Sequence, residues 1–536
     1  MSVHGTGEMV EKLGVIAVVL LAAVVVLARP PRISERVRAA AILGVLALTP
    51  VLLVVDIWHT SQLTHLRHHP AEAGAALLAG LVVVLALALA IHRRPQAFPL
   101  LAIFALPFRL PISTGGSTSN LLIPLYLVVG AGALVYAVPR LSSASHGGAA
   151  DAAGDGAGAP LDEPAADGWW VSLASPRCLE WLLAASVVLY GVQSSYSADF
   201  SKALESMVFF YVPFALLFAL LREVRWTREL LLRCLAVAVA LAVVFAGIGF
   251  VEYARKQLFL NPKVVAANEY GNYFRVNSLF FDPNIYGRFL ALVMVGVMTG
   301  VMWSARRREV LLGGAVLLWL LGGLVTSFSQ SSIAALLLGL AVLAAYRWDV
   351  RSTAYVAGAL AAIALVAVLA APPSLHLGLS GKGGSASNAT SGRTKLVEGG
   401  LRLFADRPLQ GFGPGSFAQE YRTHEHVTSD SATSASHTIP VTVAAEQGIV
   451  GLVLYAALLA AAFAVLFGGA GRSPPRIALA AAFAALVLHT FTYADFLEDP
   501  VTWTLLGVGV ALARATRGGG VRRRSAPHVE PAVLRS

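Results

Sequence analysis

Long apolar segments recur along almost the whole chain, and they constrain its fold more than any other feature. A helix needs about 20 mostly apolar residues to cross a bilayer. Only 13% of the residues are charged, whereas soluble proteins carry about 25%. The sequence therefore predicts an all-α integral membrane protein, a polytopic bundle of about 12–15 transmembrane helices with a helical extracytoplasmic loop domain. The apolar segments are 13–29, 38–56, 73–91, 97–112, 120–138, 178–194, 204–221, 229–252, 284–303, 309–328, 331–347, 353–371, 449–468, 475–492 and 500–515.

Arginine is concentrated in every second loop between these segments. Because the cytoplasmic loops of membrane proteins carry an excess of Lys and Arg, these loops are predicted to face the cytoplasm. The amino terminus then lies outside the membrane and the carboxyl terminus on its cytoplasmic side. The net charge of +10 is divided among short clusters without a continuous basic face, so it does not indicate nucleic-acid binding. The clusters include Arg29–Arg38, Arg93–Arg94, Arg222–Arg228, Arg306–Arg308, Arg472–Arg476 and Arg514–Arg524.

Loops and changes in composition divide the chain into six parts. An Ala-, Gly- and Asp-rich segment lacks apolar periodicity and is predicted to be a flexible cytoplasmic linker. A longer polar segment places apolar residues between Gly/Pro turns and is predicted to form a small helical domain outside the membrane. The predicted parts are the N-terminal transmembrane helices (1–140), the linker (141–177), the central transmembrane helices (178–371) with an outer loop (253–283), the large extracytoplasmic loop (372–448), the C-terminal transmembrane helices (449–515) and a basic cytoplasmic tail (516–536).

The end of the outer loop combines two arginines with a signal for the start of a helix. Asp282 and Asn284 flank a proline, and all three residue types favour the first turn of a helix. The amino end of a helix offers free N–H groups and a positive dipole to an anion. Arg275 and Arg288 lie on either side in sequence, and arginine binds phosphate through two parallel donors. The pattern is equally typical of a phosphate site and of a capped helix whose arginines bind lipid headgroups.

The large loop adds a second group of candidate residues. Histidine is the side chain best suited to proton transfer near neutral pH. Its histidines could instead bind a metal ion, but few carboxylates accompany them, so the metal interpretation is the weaker one. The candidates are Arg393, Arg402, His424, His426 and His437.

Several segments resemble, in this order along the chain, the O-antigen ligase/polymerase superfamily. They are YFRVNSLFFDPNIYGRFLAL, TSFSQSSIAALLLG, GRTKLVEGGLRLFADRPLQGFGPGSF, SHTIPVTVAAEQGIVGLVLY and FLEDPVTWTLLGV. The resemblance implies an integral-membrane inverting glycosyltransferase that uses no metal and no other cofactor. It also implies a donor glycan carried by undecaprenyl diphosphate and a glycan or lipid acceptor. The reaction is then expected on the outer face of a bacterial cytoplasmic (inner) membrane, in O-antigen, exopolysaccharide or capsule assembly.

The resemblance also assigns roles to particular residues. It implies that Arg275 and Arg393 hold the diphosphate, with Arg288 or Arg402 as further candidates, and that His437 deprotonates or orients the acceptor hydroxyl. The chain departs from the family at Gln330, where arginine is common, and at Thr438, where asparagine is common. The matched positions are Arg275 and Asn284 of the Arg…Pro-Asn motif, Arg393 at the start of the large loop, Gly413 and Gly415 of a glycine turn, His437, and Glu446 with Gly448 in the next helix; Asp282 and Glu446 are expected to be supporting residues.

Two other classes of function stay open, a transporter or flippase of lipid-linked saccharides and a non-catalytic membrane scaffold. Ionisable residues, which transporters often carry near the membrane centre, are nearly absent from the apolar segments. A continuous polar path or an inverted repeat would favour transport, whereas a scaffold would tolerate replacement of the outer arginines and of His437. Within glycan transfer, polymerase and ligase roles both stay open. The long linker and the high helix count slightly favour a polysaccharide polymerase.

Overall fold

The computed structural model describes residues 3–27, 34–57, 68–114, 117–142, 173–259, 274–348, 351, 393–426, 438–493 and 495–524. Several predictions lie outside these residues. They concern the candidate helix 353–371, most of the linker, parts of the two outer loops, the residue His437 and the side chain of Arg393.

The described residues form helices almost throughout, as the apolar segments predict. Eleven of the described helices are long and apolar enough to cross a membrane, with the continuous stretch Phe200–Leu221 counted as one. The predicted polytopic helical fold is therefore confirmed. In chain order the elements are α1 (Val3–Leu27), α2 (Glu35–Ile57), α3 (Pro70–Arg93), α4 (Ala97–Ala105), β1 (Leu110–Thr114), β2 (Ser117–Leu121), α5 (Ile123–Ser142), α6 (Pro176–Ser194), α7 (Phe200–Ser206), a π-helical turn (Met207–Tyr211), α8 (Val212–Leu221), α9 (Arg228–Arg255), α10 (Pro283–Trp303), α11 (Arg307–Thr326), α12 (Gln330–Arg347), α13 (Arg393–Asp406), α14 (Phe417–Glu425), α15 (Ile439–Phe467), a 3-10 turn (Ala470–Arg472), α16 (Pro474–Thr492) and α17 (Pro500–Arg524).

Short polar side chains determine where several helices begin. The Ser175 hydroxyl accepts a hydrogen bond from the Arg177 N–H at the start of α6, and the Thr227 hydroxyl accepts one from the Leu230 N–H at the start of α9. Such caps satisfy N–H groups that have no partner inside the helix. Proline occupies the first turn of α6 and of α10, where a missing N–H removes no helical hydrogen bond.

The predicted segment 97–112 does not form a full membrane-spanning helix. Helix α4 has 9 residues, which gives a length of about 14 Å, and the hydrocarbon core is about 30 Å thick. Pro107 follows the end of α4, and proline cannot continue a helix without losing a hydrogen bond. The chain instead forms the antiparallel hairpin β1–β2, in which Leu110 pairs with Leu121. Arg109 therefore stands at the start of a hairpin and not inside a helix.

Helix α15 begins at Ile439, and not at residue 449 as the hydropathy alone predicts. Pro440 lies in its first turn, and apolar residues follow it. Gly448 interrupts the helix with φ 66° and ψ −162°, a backbone conformation essentially restricted to glycine. The interruption leaves backbone groups of α15 available to another part of the chain.

Small residues let the inner helices pack closely. Helix α12 packs against α16, and α10 packs against both α11 and α12. A Cβ atom added to Gly339 of α12 would lie 2.6 Å from a Val295 methyl group and 3.4 Å from the Ala485 Cβ. Such close approach is typical of transmembrane helices. By contrast, α3 is almost wholly exposed, with Leu77 and Leu78 facing outwards, as expected of a helix in contact with lipid.

A buried group of charges joins four helices at the predicted cytoplasmic end. Glu180 of α6 lies 3.1 Å from Nη1 of Arg222, the residue that follows α8, and both side chains are almost fully buried. Arg514 of α17 also contacts Glu180. Arg38 of α2 pairs with Glu223 at 3.1 Å. Because an unpaired buried charge is costly, this group constrains how α2, α6, α8 and α17 meet.

Candidate functional site

The segment before α10 holds Arg275 against Asn284 and the end of α11. Nη2 of Arg275 donates to Oδ1 of Asn284 at 3.2 Å, and Nε donates to the Ser327 carbonyl at 3.1 Å. Asp282 caps α10, because its carboxylate accepts a hydrogen bond from the Asn284 N–H at 2.6 Å. The structure therefore brings together Arg275, Asp282 and Asn284, three of the predicted site residues.

Serines at the start of α12 complete this polar group. The Ser329 hydroxyl donates to Oδ1 of Asn284 at 2.9 Å and lies 2.7 Å from the Ser332 hydroxyl. The Ser331 hydroxyl lies 3.3 Å from Nε2 of the buried His489. Gln330, which stands where the family often has arginine, is exposed in the same turn. We call Arg275, Asn284, Ser329, Ser331, Ser332 and His489 the arginine–serine cluster.

Backbone strain surrounds the arginine–serine cluster. Ser278 and Phe328 have φ values of 52° and 50°, which few residues other than glycine adopt. Ser278 is held there by two hydrogen bonds of 2.8 Å, from its hydroxyl to the Phe245 carbonyl and from its N–H to the Glu252 carboxylate. Strained residues persist only where the surroundings fix them, and they concentrate at functional sites.

Arg288 lies in the second turn of α10 and is paired inside the protein. Its Nη2 lies 2.9 Å from Oδ2 of Asp499, and both side chains are only 3% exposed. Its Nη1 has no hydrogen-bond partner among the described residues. Burial raises the pKa of the nearby Asp495, and Arg288 and Arg109 act in the opposite direction. The charge of Arg288 is thus already balanced by a carboxylate of the protein.

The sequence GFGPGSF (411–417), here called the glycine turn, fits into the break in α15. The N–H of Ile449, which would bond the Ala445 carbonyl in an unbroken helix, instead donates to the Pro408 carbonyl at 2.8 Å. The Ala445 carbonyl instead accepts a hydrogen bond from the Phe412 N–H at 3.1 Å. The positive φ values in this turn are 69° at Gly411, 95° at Gly413 and 77° at Gly415.

Glu446 and Ser197 hold the other sides of the glycine turn. Oε1 of Glu446 accepts a hydrogen bond from the Phe417 N–H at 3.1 Å, and its carbonyl accepts one from the Gly413 N–H at 2.8 Å. The Ser197 hydroxyl donates to the Pro414 carbonyl at 2.7 Å. The turn is thereby fixed to α15 on one side and to the segment between α6 and α7 on the other.

Replacing Gly413 with alanine is expected to disturb both the turn and this segment. A Cβ atom there would lie 2.3 Å from the Ser197 Cα, and the φ of 95° is itself unfavourable for alanine. We expect a loss of about 1–3 kcal/mol in stability, measured as loss of monodisperse protein on heating in detergent. Gly74→Ala in α3 is the control, because no atom lies within 4 Å of its added Cβ. Equal heat resistance of the two variants would contradict this packing.

A cavity of about 350 Å³ opens between α6, α7, α14, α15 and the loop that joins α16 to α17. Its volume lies in the range of small-molecule sites. The π-helical turn Met207–Tyr211 forms part of one wall, and single π-helical turns frequently occur at functional sites. The charged residues that line the cavity are Asp199, Lys202, Arg422, Glu446, Asp495 and Glu498.

The loop 495–499 before α17 is anchored so that it presents side chains to the cavity. The buried Phe496 packs edge-on against Tyr455, with ring centroids 5.5 Å apart. The Trp503 indole N–H donates to the Leu497 carbonyl at 2.8 Å. These contacts leave Asp495 and Glu498, on either side of the anchor, lining the cavity.

Glu498 and Asp495 influence each other's ionisation. Burial and then the neighbouring Asp495 raise the pKa of Glu498 to about 7, against the influence of Lys202 and of a hydrogen bond from the Ser206 hydroxyl. Asp495 has a φ of 79°, a further strained residue. The cavity therefore contains a carboxyl group that changes charge near neutral pH.

The other predicted residues occupy different places. Arg402 lies on α13 with its Nη2 2.7 Å from Oε1 of Glu425, and its described contacts join it to neither the arginine–serine cluster nor the cavity. The backbone of Arg393 begins α13. Gly415 and Glu446 line the cavity. Most of the predicted residues thus fall into two groups, one around Arg275 and one around the glycine turn, and Arg402 stands apart from both.

Sequence reasoning missed Lys202, Asp495 and Glu498. All three lie close to the ends of apolar segments, where isolated charges are common and carry no motif. One signal was available, because Asp499-Pro500 repeats the helix-start pattern of Asp282-Pro283. In the structure, both aspartates stand at the start of a helix, and Arg288 connects the two starts through its ion pair with Asp499.

Comparison with protein families supports the resemblance. A family model described as O-antigen ligase matches residues 315–456. The matched region extends from α11 into α15 and includes the serines of the arginine–serine cluster, the glycine turn and Glu446. A search of curated proteins finds no match to the chain.

Proposed function

Because the chain belongs to the O-antigen ligase-related superfamily, we propose that it transfers a glycan from undecaprenyl diphosphate to an acceptor hydroxyl outside the cytoplasmic membrane. The family match supports glycan transfer of the ligase or polymerase type. The observation that carries the proposal to this chain is the cavity bounded by the glycine turn and α15. Asp495 lines this cavity and interacts electrostatically with Asp282 and Arg288, so the cavity neighbours the arginine-rich region.

In this proposal the arginines bind the diphosphate. Arg275 is fixed in place by Asn284 and the Ser327 carbonyl, so its guanidinium is oriented before substrate arrives. An oriented cation stabilises the charge that develops on the departing diphosphate, and it costs no reorganisation during reaction. Arg393, with Arg402 as a further candidate, would supply a second cation from the large loop. Arg288, which is paired with Asp499, would position the start of α10 and contribute charge at longer range.

The acceptor hydroxyl would approach from the cavity side. In sequence, His437 immediately precedes Thr438, the residue before α15, and Ile439 and Thr442 of that helix line the cavity. We propose that His437 contacts the acceptor hydroxyl and orients or deprotonates it. Glu446 would support the site indirectly, because its carboxylate and its carbonyl both bond the glycine turn.

Complementation of a deletion strain tests the function. Wild type, Arg393→Ala and His437→Ala would be compared at matched membrane abundance, with surface glycan separated on a gel. We expect both variants to lose full-length surface glycan. Arg308→Ala is the control, because Arg308 is exposed at the predicted cytoplasmic start of α11.

The products also distinguish the roles. A ladder that collapses to single repeats indicates a polymerase, whereas full-length glycan retained on the lipid carrier indicates a ligase. Lipid-linked glycan trapped on the cytoplasmic side would contradict the proposal and favour a flippase. If both variants produced wild-type surface glycan, neither His437 nor Arg393 would belong to the proposed site.

A further inference from the structure

Among the described residues, one carboxyl group of the cavity neither caps a helix nor holds the glycine turn. Of its four acidic residues, Asp199 caps α7 by accepting a hydrogen bond from the Lys202 N–H at 3.0 Å. Glu446 accepts one from the Phe417 N–H, which ties it to the glycine turn. Asp495 faces the guanidinium groups of Arg288 and Arg109. Glu498 accepts a hydrogen bond from the Ser206 hydroxyl, and Lys202 and Arg109 favour its charged form.

We propose that Glu498 is a catalytic residue that accepts the proton of the acceptor hydroxyl in the cavity. The inference rests on the proposed function and deepens it, since it adds a second residue on the acceptor side. Glu498 is only half-buried and lines the cavity, so a bound hydroxyl can reach its carboxylate. The anchored loop 495–499 holds it there, because the packing of Phe496 and the hydrogen bond from Trp503 to the Leu497 carbonyl fix the backbone just before Glu498.

The proposed step balances without another reactant. The acceptor oxygen forms a bond to the anomeric carbon of the donor sugar as the bond from that carbon to the diphosphate oxygen breaks. The electron pair of the broken bond leaves with the polyprenyl diphosphate, whose charge the arginines stabilise. The acceptor proton passes to the Glu498 carboxylate and then to solvent. His437 then serves to orient the acceptor hydroxyl.

The surroundings of Glu498 suit a group that gains and loses a proton. A general base works best when its pKa lies near the working pH, and burial together with Asp495 raises the pKa of Glu498 to about 7. Only the ionised form can accept a proton, so the rate is expected to rise with pH through this value and to level off above it. The titratable and charged groups around Glu498 are Asp495 on its own loop, Asp199 and Lys202 at α7, Tyr190 on α6, Tyr211 on the π-helical turn, Arg422 on α14, Glu446 on α15 and Arg109 before β1.

Glu498→Gln tests the proposal, because glutamine keeps the shape and can still accept the hydrogen bond from Ser206. The purified full-length protein in proteoliposomes would be supplied with lipid-linked glycan extracted from the deletion strain. Release of polyprenyl diphosphate would be followed between about pH 5 and 8. We expect the plateau rate of Glu498→Gln to fall by about 10²- to 10⁴-fold and the rise of rate with pH to disappear.

Two comparison variants separate a catalytic role from a structural one. Glu398→Gln, on an exposed position of α13, should keep both the rate and the pH profile. His437→Ala should be slow but should keep the rise of rate with pH, since Glu498 is intact. Glu498→Gln should resist heating as well as wild type, because burial penalises the charged form of Glu498.

The outcomes also separate this inference from the proposed function. If Glu498→Gln stays within threefold of wild type, or keeps the same rise of rate with pH, Glu498 is not the proton acceptor. If His437→Ala is impaired in that case, the proposed function survives without this inference. If wild-type protein itself releases no polyprenyl diphosphate, the proposed function fails.

Discussion

Arg275→Ala is expected to lower glycan transfer by about 10²- to 10³-fold, the usual effect of removing one preorganised donor from developing charge. The guanidinium is held from two sides, by Asn284 and by the Ser327 carbonyl. The family resemblance leads us to expect an arginine where this chain carries Gln330, so we infer one cation fewer near the same helix start. Arg275 therefore carries a larger share of the proposed charge stabilisation.

We expect Arg275→Ala to lower the transfer rate at saturating donor more than it weakens binding of the donor. An interaction that strengthens as the leaving group gains charge lowers kcat and kcat/KM together. Arg275→Lys should recover part of the rate, because lysine keeps the charge but loses the second donor. Transfer would be measured in proteoliposomes as release of polyprenyl diphosphate.

Arg255→Ala is the matched control for Arg275→Ala. Arg255 ends α9 at the other side of the same predicted outer loop, and its side chain is exposed. It should transfer glycan at the wild-type rate. If Arg275→Ala also retained the wild-type rate, the arginine–serine cluster would not bind the diphosphate, and its polar contacts would serve only the packing of α10 against α12.

The helices could be predicted because their signal is local. A run of apolar residues ending at arginines specifies a spanning helix without knowledge of its neighbours. The helix bounds were predicted less accurately where a proline or a glycine, and not hydropathy, determines the course of the backbone. Pro107 follows the end of α4 inside an apolar segment, and Gly448 interrupts α15 next to the polar residues Glu446 and Gln447, just before the predicted apolar segment 449–468. Both deviations position residues near the candidate site, Arg109 in one case and the glycine turn in the other.

The candidate site could be predicted only where a motif is contiguous. Arg275, Asp282 and Asn284 lie within ten residues of one another, and helix capping brings them together. Lys202 and Glu498 lie on distant segments, and only the packing of α7 against the loop 495–499 joins them at one cavity. No local pattern specifies that packing.

Glu180→Ala is expected to destabilise the protein by about 3–5 kcal/mol, the effect of breaking a buried ion pair by removing one partner. Glu180 contacts both Arg222 and Arg514. Glu223, the other carboxylate of this group, lies 3.4 Å from Nε of Arg222 and already pairs with Arg38. Without Glu180, Arg222 and Arg38 would share Glu223, and Arg514 would lose its contact with Glu180. The measurement is the loss of monodisperse protein on heating in detergent.

Glu35→Ala is the control for Glu180→Ala, because it also removes a glutamate that pairs with an arginine near the same end of the bundle. Oε2 of Glu35 lies 2.9 Å from Nε of Arg140, and both side chains are substantially exposed. Exposed pairs contribute about 0–1 kcal/mol, so this variant should resist heating nearly as well as wild type. The difference between the two variants isolates burial as the cause. If Glu180→Ala were equally resistant, the charges of Arg222 and Arg514 would be satisfied by other groups, and the buried ion pairs would not determine how α6, α8 and α17 meet.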